Sequence, residues 1–170
     1  MIYLTEEKLG TVLKIWGDTV QGQVSLKGTR FRVDFLVTKG TRKIFVEFDG
    51  YLHFTCPDQI ERDTRKDLVI LEQYPDYELV RIPYFVQLDV DTFKFYFKEE
   101  LKLDIEYYPH GFIDKKAKRP NAFCFQGVLK YKDILDKLPE EVAYLIKDST
   151  KEHEKAMYPF SSILSYFDYV

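Results

Sequence analysis

No stretch of this 170-residue chain approaches the roughly 20 consecutive apolar residues that a bilayer-spanning helix needs, so no such helix is expected. The opening Met1-Ile2-Tyr3-Leu4-Thr5-Glu6-Glu7 lacks a basic segment leading into an apolar one, and no secretory signal is read there. Cysteine is scarce: Cys56 and Cys124 form no CxxC pair and no zinc-ligand spacing. A zinc module and a disulfide-framed domain are therefore not expected; free thiols in a cytoplasmic protein, of bacterial or phage type, are. Internal repeats and low-complexity segments are missing as well.

What is present is the composition of one globular domain: 45% apolar and 31% charged residues, in a length that carries a proper core but not two. The net charge of −3 weighs mildly against a nucleic-acid partner, because duplex affinity comes largely from cations that displace counterions. Net charge averages over faces, however, and 25 lysines and arginines suffice for a local basic surface. The 14 Phe and 13 Tyr residues are abundant. Exposed rings can stack on bases, but most are expected in the core.

Residues 5–16 read as a helix, with Thr5 as its cap, Glu6 and Glu7 at its positive end, and Leu9, Val12, Leu13 and Trp16 on one face. Val20 to Leu26 is loosely strand-like. Phe31 to Val37 alternates as a strand, with Arg32, Asp34 and Leu36 on the face opposite Phe31, Val33, Phe35 and Val37. Lys39-Gly40-Thr41 is hairpin turn chemistry. Lys43 to Asp49 returns with Phe45, Glu47 and Asp49 on one face. Gln59 to Gln73 reads as a helix with Ile60, Thr64, Leu68 and Leu71 toward the core and Glu61, Arg62, Arg65 and Lys66 nearer water. Glu78 to Ile82 is a short strand cut off by Pro83. A helix over 91–101 and helical stretches over 132–138 and 139–157 follow. Joining the last strand to the hairpin by a crossover predicts an α/β fold, a mixed sheet flanked by helices. Residues 104–170 are expected as a helical C-terminal extension packed on a core formed by 1–103.

Asp34 and Glu47 sit in the middle of apolar strands, where an ionised carboxylate needs a compensating charge, hydrogen bonds or a metal. The hairpin register puts them roughly opposite each other, and Asp49 extends the same face. A divalent ion such as Mg²⁺, which takes one or two carboxylates and leaves room for water and phosphate, would reconcile them. The bland alternative is a wetted sheet face neutralised by Arg32 and Arg42. What favours a site is the continuation Glu47-Phe48-Asp49-Gly50-Tyr51-Leu52-His53: the glycine lets the chain turn sharply and bring a histidine back over the acids.

These blocks, Phe31-Arg32-Val33-Asp34-Phe35, Val46 to His53, Arg62-Asp63 through Lys66-Asp67 and Leu79-Val80-Arg81-Ile82, resemble those of the PD-(D/E)XK nuclease superfamily. The branch they look most like holds the very-short-patch repair endonucleases and the EDxHD homing endonucleases. The resemblance covers about a third of the chain, residues 31–85. It implies a restriction-endonuclease-like core and a Mg²⁺- or Mn²⁺-dependent endonuclease acting on DNA. Asp34 would be the principal metal ligand, Glu47 the second acid, and the backbone carbonyl of Phe48 a further ligand. Asp49 stands where lysine is usual, as a ligand of a second metal or a partner that fixes His53. His53 matches the histidine of the DGxxH variant. Asp63 and Lys66 are secondary candidates, one of which would replace the absent lysine. Either Glu6 or Glu7 matches the acid of the first helix. Val33 replaces the proline that precedes the first acid.

Arg62, Arg65 and the basic stretch Lys115, Lys116, Lys118 and Arg119 are candidate phosphate contacts, with a solvated loop as the other reading of that stretch. Arg81, inside a strand, is a candidate neutraliser of an acid. The runner-up function is a catalytically silent nuclease fold that binds DNA; a two-carboxylate glycosidase lacks any sign of a sugar cleft. Residues beyond His110 carry no motif. The amphipathic run 140–151 and the aromatic tail 158–169 suggest packing on the core, a homodimer or a separate specificity partner.

Overall fold

Thr5, in extended conformation, accepts a hydrogen bond from the Lys8 N–H and opens helix α1 (Glu6–Trp16). Its buried stripe is Leu9, Val12, Leu13 and Trp16, as the spacing predicts. The computed structural model describes residues 2–101, 106–112 and 119–157. Strands β1 (Thr19–Ser25), β2 (Arg32–Lys39) and β3 (Arg42–Asp49) follow. Lys39 pairs with Arg42 across a two-residue turn, where Gly40 takes a φ of +56° that a side chain would resist. Helices α2 (Leu52–Thr55) and α3 (Pro57–Gln73) then lead to strand β4 (Glu78–Pro83), which lies parallel to β3. The result is a four-stranded mixed sheet in the order β1-β2-β3-β4, the α/β arrangement expected.

Two apolar layers cover the sheet. On one face α1 and helix α4 (Val90–Phe97) enclose Val37, Ile44, Val46, Val80 and Ile82. On the other, Val33, Phe45 and Ile70 of α3 form a smaller cluster with Leu26. Glu47, Asp49 and Arg81 share this second face with Phe45, since they alternate with it along β3 and β4.

That charge on the sheet corrects the expected orientation of α3. The residues it buries are Asp63, Lys66 and Ile70, whereas Thr64 is exposed, Leu68 is 53% exposed and Leu71 is 70% exposed. An apolar stripe laid over Glu47 and Asp49 would strand both carboxylates without partners. Turning Asp63 and Lys66 inward lets the helix complete the ion pairs while Ile70, with Val69 beside it, joins the apolar cluster of Phe45. Arg62 and Arg65 are exposed as expected; Lys66 is not.

Helices α5 (Phe125–Lys137) and α6 (Glu140–Met157) close the molecule. Tyr131, Leu135, Leu138, Val142 and Ile146 pack with Phe54, Phe85 and Phe112 in a third apolar cluster. Gly127 is what lets α5 approach α2: a Cβ there would sit 1.8 Å from the carbonyl oxygen of Phe54. Fully burying Phe54, Phe85 and Ile146 contributes roughly 1.5–3 kcal/mol for each side chain. Cys56 and Cys124 are free thiols. Among the described residues no helix is long and apolar enough to cross a membrane. Lys115, Lys116, Lys118 and the tail 158–169 lie outside the described residues.

Candidate functional site

The β2–β3 ladder runs from Lys39 opposite Arg42 to Phe35 opposite Val46, and one step further Asp34 comes level with Glu47. Regular pairing stops at that step. The Asp34 carboxylate takes over and accepts the Phe48 N–H at 2.8 Å through Oδ2. On its other oxygen it accepts the Gln23 side-chain amide at 3.3 Å, and the same amide nitrogen donates to Glu6 Oε1 at 3.0 Å. Glu6, Asp34 and Glu47 thus line one cleft of about 220 Å³, together with Phe48, His53, Arg62, Asp63 and Lys66. Of the two candidate acids on the first helix, Glu6 lines the cleft; Glu7 is exposed and does not.

Glu47 is 2% exposed, and its Oε2 accepts from Lys66 Nζ at 2.6 Å. Lys66 also donates to the carbonyl of Arg32 at 3.3 Å. Burial pushes the Glu47 carboxyl up to about 7, against the opposing pull of Lys66 and Arg81, with Asp34 adding to the rise. Its second oxygen, Oε1, is buried without a hydrogen-bond partner. Burial likewise raises Glu6, helped by the charge of Asp34 and opposed by the Gln23 amide. Burial, more than the neighbouring negative charge, is what disfavours ionisation of both groups.

In the other half of the site each acid has a cationic partner. Asp49, 1% exposed, meets Arg81 at 2.6 Å through Oδ1 and Lys130 at 2.9 Å through Oδ2, with His53 Nδ1 3.4 Å away. Gly50 and Tyr51 turn the chain from β3 into α2 and so set His53 beside Asp63, Nδ1 to Oδ2 at 2.5 Å. Asp63 is steadied by Gln59 at 3.0 Å. Burial works to raise the Asp63 carboxyl, but the His53 hydrogen bond and the charges of Arg81 and Lys130 outweigh it and hold the group below its ordinary range. Arg81 also pairs with Asp67 at 2.8 Å. It neutralises acids, as its place in a strand suggested. Beyond the Asp49–Arg81 pair lies a second cavity of about 450 Å³, walled by Phe95, Tyr96, Ile134 and Leu138.

Two sets of donors have the chemistry of a cation site. Asp49, His53 and Asp63 bring ligand atoms within 4.8 Å of one another, but Arg81 and Lys130 already stand on these carboxylates. The cleft's carboxylates Glu6, Asp34 and Glu47 do not converge as that group does, but they are hard oxygen donors of the kind Mg²⁺ and Mn²⁺ take, and one of their oxygens is buried and unpartnered.

Asp34, Glu47, His53 and Lys66 thus converge on one cleft, with Arg62 at its lip; Asp49 stands behind them, tied to Arg81 and Lys130. Arg65 is exposed and pairs with Glu61 at 3.4 Å. Arg119 lies beside Tyr84, one guanidinium nitrogen buried, and does not line the cleft. Sequence reasoning missed Lys130, which comes from α5 with no motif around it. It also missed Gln23, for which Gly22 was a signal, since a glycine inside a strand marks a bulge. Comparison of the chain with models of known protein families, with curated proteins and with solved structures gives no match.

Proposed function

We propose that this chain is a Mg²⁺- or Mn²⁺-dependent endonuclease that hydrolyses DNA phosphodiester bonds on a restriction-endonuclease-like core. The observation that carries the reading is the buried, unpartnered Oε1 of Glu47 beside Asp34, with the Lys66 ammonium on the same carboxylate. The order helix, hairpin, helix, parallel strand supports the fold assignment.

Asp34 and Glu47 would hold the ion, with Glu6 and the Phe48 carbonyl as further ligands. When bound, such an ion would supply Lewis acidity toward the phosphate and lower the pKa of a water, so that hydroxide is available as nucleophile near neutral pH. Lys66 takes the part of the lysine that Asp49 displaces: it reaches the second acid from α3 instead of from β3 and presents a fixed positive charge where the phosphate's negative charge grows. Asp63 holds the Nδ1 side of the His53 ring, which leaves Nε2 to orient water or exchange a proton with the leaving oxygen. Arg62 and Arg32, exposed at the cleft, hold the neighbouring phosphates. Asp49 is a positioning residue that fixes Arg81, Lys130 and His53.

A second reading, a silent nuclease fold that binds DNA, is favoured by the sealing of Asp49 between Arg81 and Lys130. Incubation with supercoiled plasmid separates the two. Cleavage that needs Mn²⁺ or Mg²⁺ and is lost in Asp34→Ala and Glu47→Ala supports the endonuclease. DNA binding without cleavage supports the second reading, and variants that cut as well as the parent overturn the assignment of these acids.

A further inference from the structure

Among the described non-glycine residues only Gln23 and Lys98 have positive φ, 53° and 60°. Lys98 is accounted for locally, since it is the C-cap of α4, a position that favours the left-handed conformation. Gln23 is not at a helix end or in a turn. It lies inside β1, and pairing skips it: Gly22 faces Phe35 and Val24 faces Val33. It is exposed, so packing does not impose the conformation. A left-handed backbone at a residue with a long side chain is strained, and such strain persists only where surrounding interactions over-determine it. Here the interactions are two, and both end on acids of the cleft: the amide nitrogen donates to Glu6 Oε1 and to Asp34 Oδ1.

The bulge at Gly22-Gln23 therefore aims one amide between two carboxylates from different elements, α1 and β2. Its dipole offsets their repulsion and fixes the rotamer of Asp34, whose other oxygen is held by the Phe48 N–H. Carboxylate ligands are ordinarily oriented by such outer partners. We propose that Gln23 is a positioning residue for the cation cleft, holding Glu6 and Asp34 in place for a divalent ion. This rests on the metal-dependent reading above.

The test separates strain from positioning. Gln23→Gly removes the amide and accepts positive φ without cost; Gln23→Asn tolerates positive φ but shortens the reach by one methylene. Mn²⁺ affinity is measured by calorimetry and thermal stability in EDTA. The expected result is a Kd raised 10- to 100-fold in both variants, with the Tm of Gln23→Gly no lower than the parent's. A Kd within a few-fold of the parent's, or a loss that merely follows a lower Tm, overturns the role of Gln23. The Asp34→Ala protein distinguishes the two failures. If the parent binds Mn²⁺, Asp34→Ala does not and Gln23→Gly still does, only Gln23 is misassigned. If the parent takes up no Mn²⁺, the metal-dependent reading falls and Gln23 with it.

Discussion

Lys66→Met should destabilise the metal-free protein by an amount that depends strongly on pH. Methionine keeps most of the stem's bulk and removes the ammonium that sits 2.6 Å from Glu47 Oε2. The Glu47 carboxyl stands at about 7 against an ordinary 4.5 even with Lys66 present. At about 1.4 kcal/mol per unit, the ionised form already costs the fold about 3 kcal/mol. The native state therefore retains a proton that the unfolded chain releases, so this group's effect is to lower stability as pH rises from about 4.5 to 7. Without Lys66 the carboxyl moves higher still, and the window of loss extends upward. At pH 8 the variant must bury a carboxylate without its close partner or hold it protonated against the solvent, and breaking such a pair costs about 3–5 kcal/mol. At pH 5 Glu47 is protonated in both proteins, and the difference should shrink to about 1 kcal/mol, the net worth of an ordinary hydrogen bond. Urea denaturation in EDTA, followed through the single buried Trp16, measures both values. Equal losses at pH 5 and pH 8 would refute the claim that burial of Glu47 governs this pair.

Two further substitutions test the packing that holds the site. Gly127→Ala places a Cβ 1.8 Å from a backbone oxygen that no side-chain motion can clear, so α5 must move away from α2; the expected loss in urea denaturation is about 3 kcal/mol. The orientation of α3 is tested by a pair of neighbours: Ile70→Ala should cost about 2–4 kcal/mol, whereas Leu71→Ser, at an exposed position, should stay within about 0.5 kcal/mol of the parent.

The elements were legible where one physical signal dominated. Thr5 with Glu6 and Glu7, the Gly40 turn and the alternation through Phe45 and Glu47 each act locally, and each put its element in place. Glu47 and Asp34 were conspicuous for the same reason: an acid in an apolar strand is expensive wherever the strand ends up. The face of α3 was misread because apolar periodicity assumes an apolar partner. Leu68 and Leu71 make a convincing stripe until the sheet beneath is seen to carry Glu47, Asp49 and Arg81. Lys130 was invisible for a different reason. Nothing in 125–137 distinguishes it from Lys132 or Lys137, and only the approach of α5 at Gly127 brings it to Asp49.

The same facts bear on how the site is assembled. Asp49 and Asp63 are both buried, and their cations come from β4, the element that follows α3, and from α5, which is remote in sequence from both β3 and α3. Apart from Lys130 of α5, the fixed charge set against Asp49, Asp63 and Asp67 is the Arg81 guanidinium, with the His53 ring beside the first two, so acids outnumber fixed cations there. Lys130 reduces that excess, and its ammonium lies 5.0 Å from the ring centre of Phe54, the residue against which Gly127 packs. Gly127 and Lys130 lie about one turn apart on α5, so the element that packs closely on Phe54 is also the one that brings the ammonium to Asp49. Helix α5 is then part of the site's electrostatics: its Lys130 stands on Asp49 and Asp63, the same two acids between which His53 is held.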